Sequence, residues 1–232
     1  IINIVKTVSK NIKIPVFVKI RLLTTVEETL RLVIQLRDAG ASLIAIHARH
    51  RVNLVNRTGP GARDGPALLD QVKYIKSKVG NTIPIISNGN VRCYDDVINN
   101  LNYTNADGIM SAEGILDDPS IFTNNNKKKK KNVNNKDNDD MRRILLAKEY
   151  LELVDKYPAT LKTVVFHVRR MCKNQLLKFQ LMETCLSAGD VTMIKNIINK
   201  MESYVKNPNS FVYDAEKEAK EKEALERKKW EE

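Results

Sequence analysis

Cysteine is scarce in this 232-residue chain, and its three copies, Cys93, Cys172 and Cys185, stand far apart without a CxxC pair or a Cys/His cluster. That spacing argues against a disulfide framework and against a zinc site, so we expect a reducing compartment and no bound metal. Long apolar runs are also missing: no uninterrupted stretch reaches the roughly 18 residues a membrane span requires. The chain opens Ile1-Ile2-Asn3, with neither a signal-peptide core nor an initiator Met, which leads us to expect further sequence upstream. Acidic residues are in the minority, 28 against 39 Lys and Arg, for a net charge of +11. Such an excess suits a polyanionic partner, because each cation set against a phosphate releases condensed counterions. What is present is globular in composition, 42% hydrophobic and 29% charged, long enough for one sizeable domain or two small ones.

Part of the positive charge sits in the lysine run 127–131, inside an Asn/Lys/Asp-rich stretch (residues 123–140) with almost nothing apolar to bury. We read that stretch as a disordered linker. Before it, short apolar runs alternate with amphipathic helical patterns, as in βα units around a parallel sheet. Four units can be counted, with strands at 14–20, 42–47, 83–87 and 106–111. The first helix shows Val26, Leu30, Val33 and Ile34 on one face and is closed by Ala39-Gly40. The second begins near Asp64-Gly65-Pro66 with Leu68, Val72, Ile75 and Val79 in helical register, a third runs around 94–101, and a short one is capped near Asp118-Pro119. Four such units make half of a (β/α)8 barrel, and closure needs all eight strands. Each strand ends in polar residues or a glycine turn: Lys19 and Arg21, His47 and Arg49, Asn88 to Asn90, Ser111 to Gly114. Barrels of this kind build their sites at those ends, and a buried strand ending in Lys implies an anion or acceptor for the ammonium.

Four sequence stretches carry a resemblance: Val18-Lys-Ile-Arg21, Ile46-His-Ala-Arg49, Ser87-Asn-Gly-Asn-Val91, and Asp107 to Gly114 followed by Pro119-Ser-Ile-Phe122. In order and spacing they resemble the fifth to eighth barrel strands of the tRNA-dihydrouridine synthase family. The Met-Ser-Ala-Glu-Gly form is similar to the eukaryotic branch acting on uridines 16 and 17 of the tRNA D-loop. The resemblance spans about residues 4–122 and resumes near Met141. It implies an FMN over the barrel mouth, reduced by NADPH, and hydride delivery to a flipped-out uracil in tRNA. It implies Lys19 beside the flavin's pyrimidine edge, His47 at the isoalloxazine or ribityl region, Arg49 on flavin or RNA, and Asn88, Gly89 and Asn90 at the ribityl-phosphate. Ala112 and Glu113 fall where most relatives place an Arg-bearing phosphate turn; Glu113 cannot supply that charge, which leaves the phosphate to backbone N–H groups. The family's cysteine general acid has no match here and is expected upstream of Ile1, so this chain by itself is expected to be inactive; Cys93 reads as structural.

Three further helical stripes follow: Ile144, Ala147, Leu151 and Val154; Leu161, Val165, Val168, Cys172, Leu176 and Phe179; Val191, Ile194, Ile198, Met201 and Val205. They can bury one another as a small helical domain. The middle one carries Lys162, His167, Arg169, Arg170, Lys173 and Lys178 and resembles the family's tRNA-gripping domain, with Arg169, Arg170 and Lys173 as RNA contacts and His167 either in the core or on RNA. The expected fold is therefore α/β: a partial FMN-binding barrel (1–122), a linker (123–140), a helical tRNA-binding domain (141–210) and a charged tail (211–232). A cytoplasmic location is expected, with the nucleus as the alternative. Two other functions stay open at this point, another FMN-dependent barrel reductase and a non-catalytic RNA-binding module.

Overall fold

A computed structural model describes residues 1–50, 66–124 and 135–214, without side chains at 135–137. It divides into two compact units, residues 1–114 with 121–123, and residues 115–120 with the chain from 124 onward. In the first, α1 (Ile2–Asn11) precedes β1 (Val16–Leu22), α2 (Val26–Asp38), β2 (Ala41–His50), α3 (Leu69–Val79), β3 (Ile85–Asn88), α4 (Tyr94–Thr104) and β4 (Gly108–Met110). The four strands form one parallel sheet in the order β1-β2-β3-β4, as alternating strands and helices require.

Three expected strands begin later than their apolar runs; the fourth strand, expected over 106–111, is regular only at Gly108–Met110, after Asp107 turns its carboxylate to the Ile85 N–H. Pro15 and Pro84 have no N–H for a ladder, so regular pairing starts after each of them, at Val16 and Ile85. Helix α2 starts on a capping box: the Thr25 hydroxyl accepts from Glu28 N–H at 3.2 Å while the Glu28 carboxylate accepts from Thr25 N–H at 3.2 Å. It ends at Asp38 with Ala39 as its C-cap, followed by Gly40 at φ +102°, as anticipated. Helix α3 begins at Leu69 rather than near Pro66; Asp64 and Gly65 lie outside the described residues.

Burial alternates along β1: Val18, Ile20 and Leu22 are buried, whereas Phe17 is 66% exposed. The buried set packs with Ile44, Ile46, Ala48 and Ile85 against Val33 and Leu36 of α2 and Val72, Ile75 and Val79 of α3. One face of the sheet therefore carries the core, and the other shows Phe17 and Lys19 to solvent with Leu43 and Ile86 partly covered. At the N-terminal ends of β3 and β4, Lys76 is buried on Asp107, its Nζ 2.9 and 2.7 Å from the two carboxylate oxygens and 2.8 Å from the Gly80 carbonyl.

The second unit holds α6 (Asn135–Lys156), α7 (Leu161–Met171), α8 (Lys173–Lys178), α9 (Met182–Leu186) and α10 (Val191–Lys206), besides most of a short α5 (Glu113–Asp117) and a 3-10 turn at Pro208–Ser210. Two expectations need correcting. The linker does not extend to 140, because α6 starts at Asn135 and Asp140 is buried, accepting from Gln175 at 2.7 Å and Lys178 at 2.7 Å. Two tertiary partners order a segment whose composition reads as unstructured. The middle stripe is two helices, broken at Cys172 (φ −112°, ψ 22°), and α7 buries Val164, Val168 and Met171 while Leu161 and Val165 are only partly covered. The first stripe, Ile144, Ala147, Leu151 and Val154, is buried as expected, with Ile194, Ile198 and Met201 of the third. Residues 125–134 of the linker and 215–232 of the tail lie outside the described residues.

Candidate functional site

The sheet register sets the site. Arg21 pairs with His47, His47 with Asn88 and Asn88 with Met110, forming one row across the C-terminal ends of four parallel strands. The row beneath it runs Lys19, Ala45, Ile86, Gly108. Because residues in register on neighbouring strands share a face, Lys19 and Arg21 lie on the side away from α2 and α3, where alternation also puts Phe17. The register thus brings together Lys19, His47 and Asn88 on adjoining strands.

The groups in the upper row are tied to one another. Arg49 Nη1 lies 3.1 Å from His47 Nε2, and its Nη2 donates to Asn90 Oδ1 at 2.8 Å. Asn90 Oδ1 also accepts from Ala67 N–H at 3.3 Å. Asn88 is buried, and its Nδ2 donates across to the Met110 carbonyl at 2.9 Å. Gly89 has φ +141°, and a Cβ there would stand 2.8 Å from the Ala67 Cβ, so the turn demands glycine. Its carbonyl accepts from Asn100 Nδ2 at 3.1 Å, while Asn100 Oδ1 accepts from Ser87 Oγ at 2.8 Å. This buried Ser87–Asn100 pair fixes the turn from behind.

Beyond β4, Ser111 Oγ donates to the Val91 carbonyl at 3.1 Å. Gly114 is buried, and a Cβ on it would collide with that same carbonyl oxygen and come within 2.7 Å of Ile121 Cδ1. Ala112 and Glu113 are exposed, Glu113 as the first residue of α5. Lys19 makes no hydrogen bond or ion pair with the described residues, and both partial burial and the neighbouring Arg21 guanidinium lower its pKa. An ammonium destabilised in this way gains from an anion placed against it.

In the second unit the cations of the middle helices divide into two sets. Arg170 Nε is 2.6 Å from Asp117 Oδ1, and Lys178 Nζ 2.7 Å from Asp140 Oδ2. Lys162, Arg169 and Lys173 are exposed and have no acidic partner among the described residues. Asp118 binds Arg142 at 2.9 Å and Arg143 at 3.5 Å; burial works against its charge, but Ser120 and the two guanidiniums outweigh burial and hold the carboxyl below its usual range. His167 is half-buried between Tyr150 and Phe166, with ring centroids 5.4 and 5.3 Å away. Burial pushes the Cys172 thiol up to about 12 and the Cys185 thiol to about 11, whereas Cys93 is exposed at the start of α4. Among the described residues no cluster of three or more His, Cys, Asp or Glu could hold a metal, and no helix is long and apolar enough to cross a membrane.

Residues 1–207 match the sequence profile of a family described as Dihydrouridine synthase (Dus). The chain belongs to the dihydrouridine synthase family. Among its relatives, a Rattus norvegicus protein named tRNA-dihydrouridine(16/17) synthase (NAD(P)(+))-like is 30% identical over 167 residues, 72% of this chain and 33% of the relative. The tRNA-dihydrouridine(16/17) synthase of Saccharomyces cerevisiae is 32% identical over 120 residues, 52% of this chain and 27% of the relative. A probable tRNA-dihydrouridine synthase of Aquifex aeolicus is 39% identical over 109 residues, 47% of this chain and 31% of the relative. The chain thus spans about a third or less of the length of these curated relatives, and the 16/17 branch of the family is the one its rat and yeast relatives carry in their names.

Sequence reasoning missed Asn100 and Thr29. Both are buried polar residues in helices, so a search for apolar stripes passes over them. The Thr29 hydroxyl donates to the Thr25 carbonyl at 3.0 Å and accepts from Leu23 N–H at 2.9 Å, holding the loop after β1. A Ser or Thr in the first turn of a predicted helix was the available signal.

Proposed function

We propose that this chain is part of a flavin-dependent tRNA-dihydrouridine synthase that reduces uridine 16 or 17 of the D-loop with NAD(P)H, and that its sheet is the second half of a closed (β/α)8 barrel. One observation carries the reading: His47 and Asn88 share a register row at the C-terminal ends of consecutive parallel strands, with Lys19 one row beneath on the neighbouring strand, beside the Gly89 turn and the buried Gly114 of α5, neither of which has room for a Cβ. These residues fit FMN. Gly89, at φ +141° and packed against Ala67, fixes the turn that carries Asn88 and Asn90, and Lys19 offers a cation that has no acidic partner among the described residues.

In this reading Lys19 lies against the electron-rich pyrimidine edge of the flavin and favours negative charge there. His47 and Arg49 hold the ring and ribityl region, and the contact of Arg49 with Asn90 couples that hold to the phosphate turn. Asn88, Gly89 and Asn90 take the ribityl-phosphate, with the backbone at Ala112 and Glu113 closing the turn; the Glu113 carboxylate adds no attraction for a phosphate. When bound, the flavin supplies the hydride that reaches C6 of the uracil. We assign proton donation to C5 to no residue of this chain: Cys172 and Cys185 are buried thiols held protonated, and Cys93 stays a helix-start residue. Arg169, Arg170 and Lys173 bind tRNA phosphates in this reading, Arg170 while also paired with Asp117. The cytoplasm, with the nucleus as alternative, remains the proposed location.

The test is dihydrouridine formation in unmodified tRNA by the full-length protein with FMN and NADPH, read by mass spectrometry. Product at position 16 or 17, lost in Lys19→Ala, supports the proposal. Tight tRNA binding without product in the full-length protein would overturn it in favour of a non-catalytic RNA-binding module.

A further inference from the structure

The exposed side of α7 presents a pattern that the cofactor site leaves unused. Lys162, Phe166 and Arg169 follow i, i+4, i+7 spacing, and Lys173, eleven residues after Lys162, opens the next helix. That spacing lines residues on one helical face, opposite the buried Val164, Val168 and Met171. Phe166 is 39% exposed amid these cations. A large ring left open on a charged stripe gains nothing for the core, and its one aromatic neighbour among the described residues, His167, meets it at 80°, edge to face. His167 packs in turn on Tyr150 at 5.4 Å, which steadies the imidazole that Phe166 leans on. The other cations of the segment, Arg170 and Lys178, are engaged by Asp117 and Asp140, whereas Lys162, Arg169 and Lys173 have no acidic partner among the described residues.

We propose that Phe166 is a base-stacking residue for an unpaired nucleotide of RNA, with Lys162, Arg169 and Lys173 holding the phosphates on either side. An aromatic face set among cations that track a backbone is the recurring arrangement for single-stranded nucleic acid, and the charge of the stripe complements phosphate rather than a neutral or basic protein. The proposal rests on the tRNA reading above and adds to it a residue and a substrate feature: a splayed base, not only a duplex backbone.

The test titrates the full chain with unmodified tRNA at several salt concentrations, using fluorescence anisotropy. Phe166→Ala should weaken binding roughly tenfold with the salt slope unchanged. Phe166→Trp should retain affinity, and Lys162→Gln should lower the salt slope by about 1. Phe166→Leu, which keeps apolar volume against His167, should behave like the alanine variant and guards against a folding defect. A fully paired RNA duplex, which offers no splayed base, should be indifferent to all three Phe166 variants. If the wild type binds tRNA and both Phe166→Ala and Phe166→Leu bind equally well, stacking is refuted while the tRNA reading stands. If the wild type does not bind tRNA, both fall.

Discussion

Replacing Asp107 with Asn should destabilise the first unit far more than replacing Lys76 with Met, although the two residues share one ion pair. Lys76 is 6% exposed and Asp107 38%. Lys76→Met removes the buried charge and leaves Asp107 its water and its bond from Ile85 N–H at 2.7 Å; swapping a buried ion for an apolar chain of similar volume costs about 1 kcal/mol or less. Asp107→Asn keeps an acceptor for Ile85 but strands the Lys76 ammonium with the Gly80 carbonyl, 2.8 Å away, and a neutral amide. Stranding a buried charge costs about 3 kcal/mol, the low end of the usual range because one partner is partly wet. For a unit of this size that is about 10 °C in melting temperature. Burial disfavours the Asp107 carboxylate, but Ile85 N–H and Lys76 together lower its pKa below the ordinary value. Its contribution is therefore fully present above the unfolded carboxyl value of about 4 and fades as pH falls through the lower folded value. Urea unfolding followed by circular dichroism, with hydrogen exchange at Ile85, reads both variants between pH 3 and 7. Equal losses in the two variants, or an acid dependence unchanged in Asp107→Asn, would refute the reasoning.

Two further outcomes follow from the same geometry. Thr25→Ala should cost about 1 kcal/mol of stability by opening the capping box with Glu28, and Thr25→Ser should restore most of it in urea titrations. A thiol reagent at neutral pH should label Cys93 rapidly, whereas Cys172 and Cys185, buried and with raised pKa values, should react only as the helices unfold; mass spectrometry of the labelled peptides checks this.

The sequence shows most clearly what depends on a periodic apolar signal. The four parallel strands and the stripe Ile144, Ala147, Leu151, Val154 can be read directly, because burying an apolar face leaves a period of 2 or 3.6. The clustering of Lys19, His47 and Asn88 can also be read from sequence, since ends of successive parallel strands adjoin. What hides are polar residues buried for structural reasons: Lys76, Thr29 and Asn100 sit in the core through specific hydrogen bonds that no hydropathy pattern announces. Asp140 and Gln175 hide the start of α6 for the same reason, as a partner 35 residues away orders a segment that looks like linker. The pairing of Arg170 with Asp117 likewise joins residues remote in sequence, so the local excess of cations overstated how many face outward.

The most direct test of the central claim is hydrogen–deuterium exchange of the full-length protein with and without FMN. The account predicts slowed exchange at residues 45–49, 87–91 and 111–114, with α7 and α10 unchanged. Protection absent from all three strand ends, or confined to the helical unit, would contradict it.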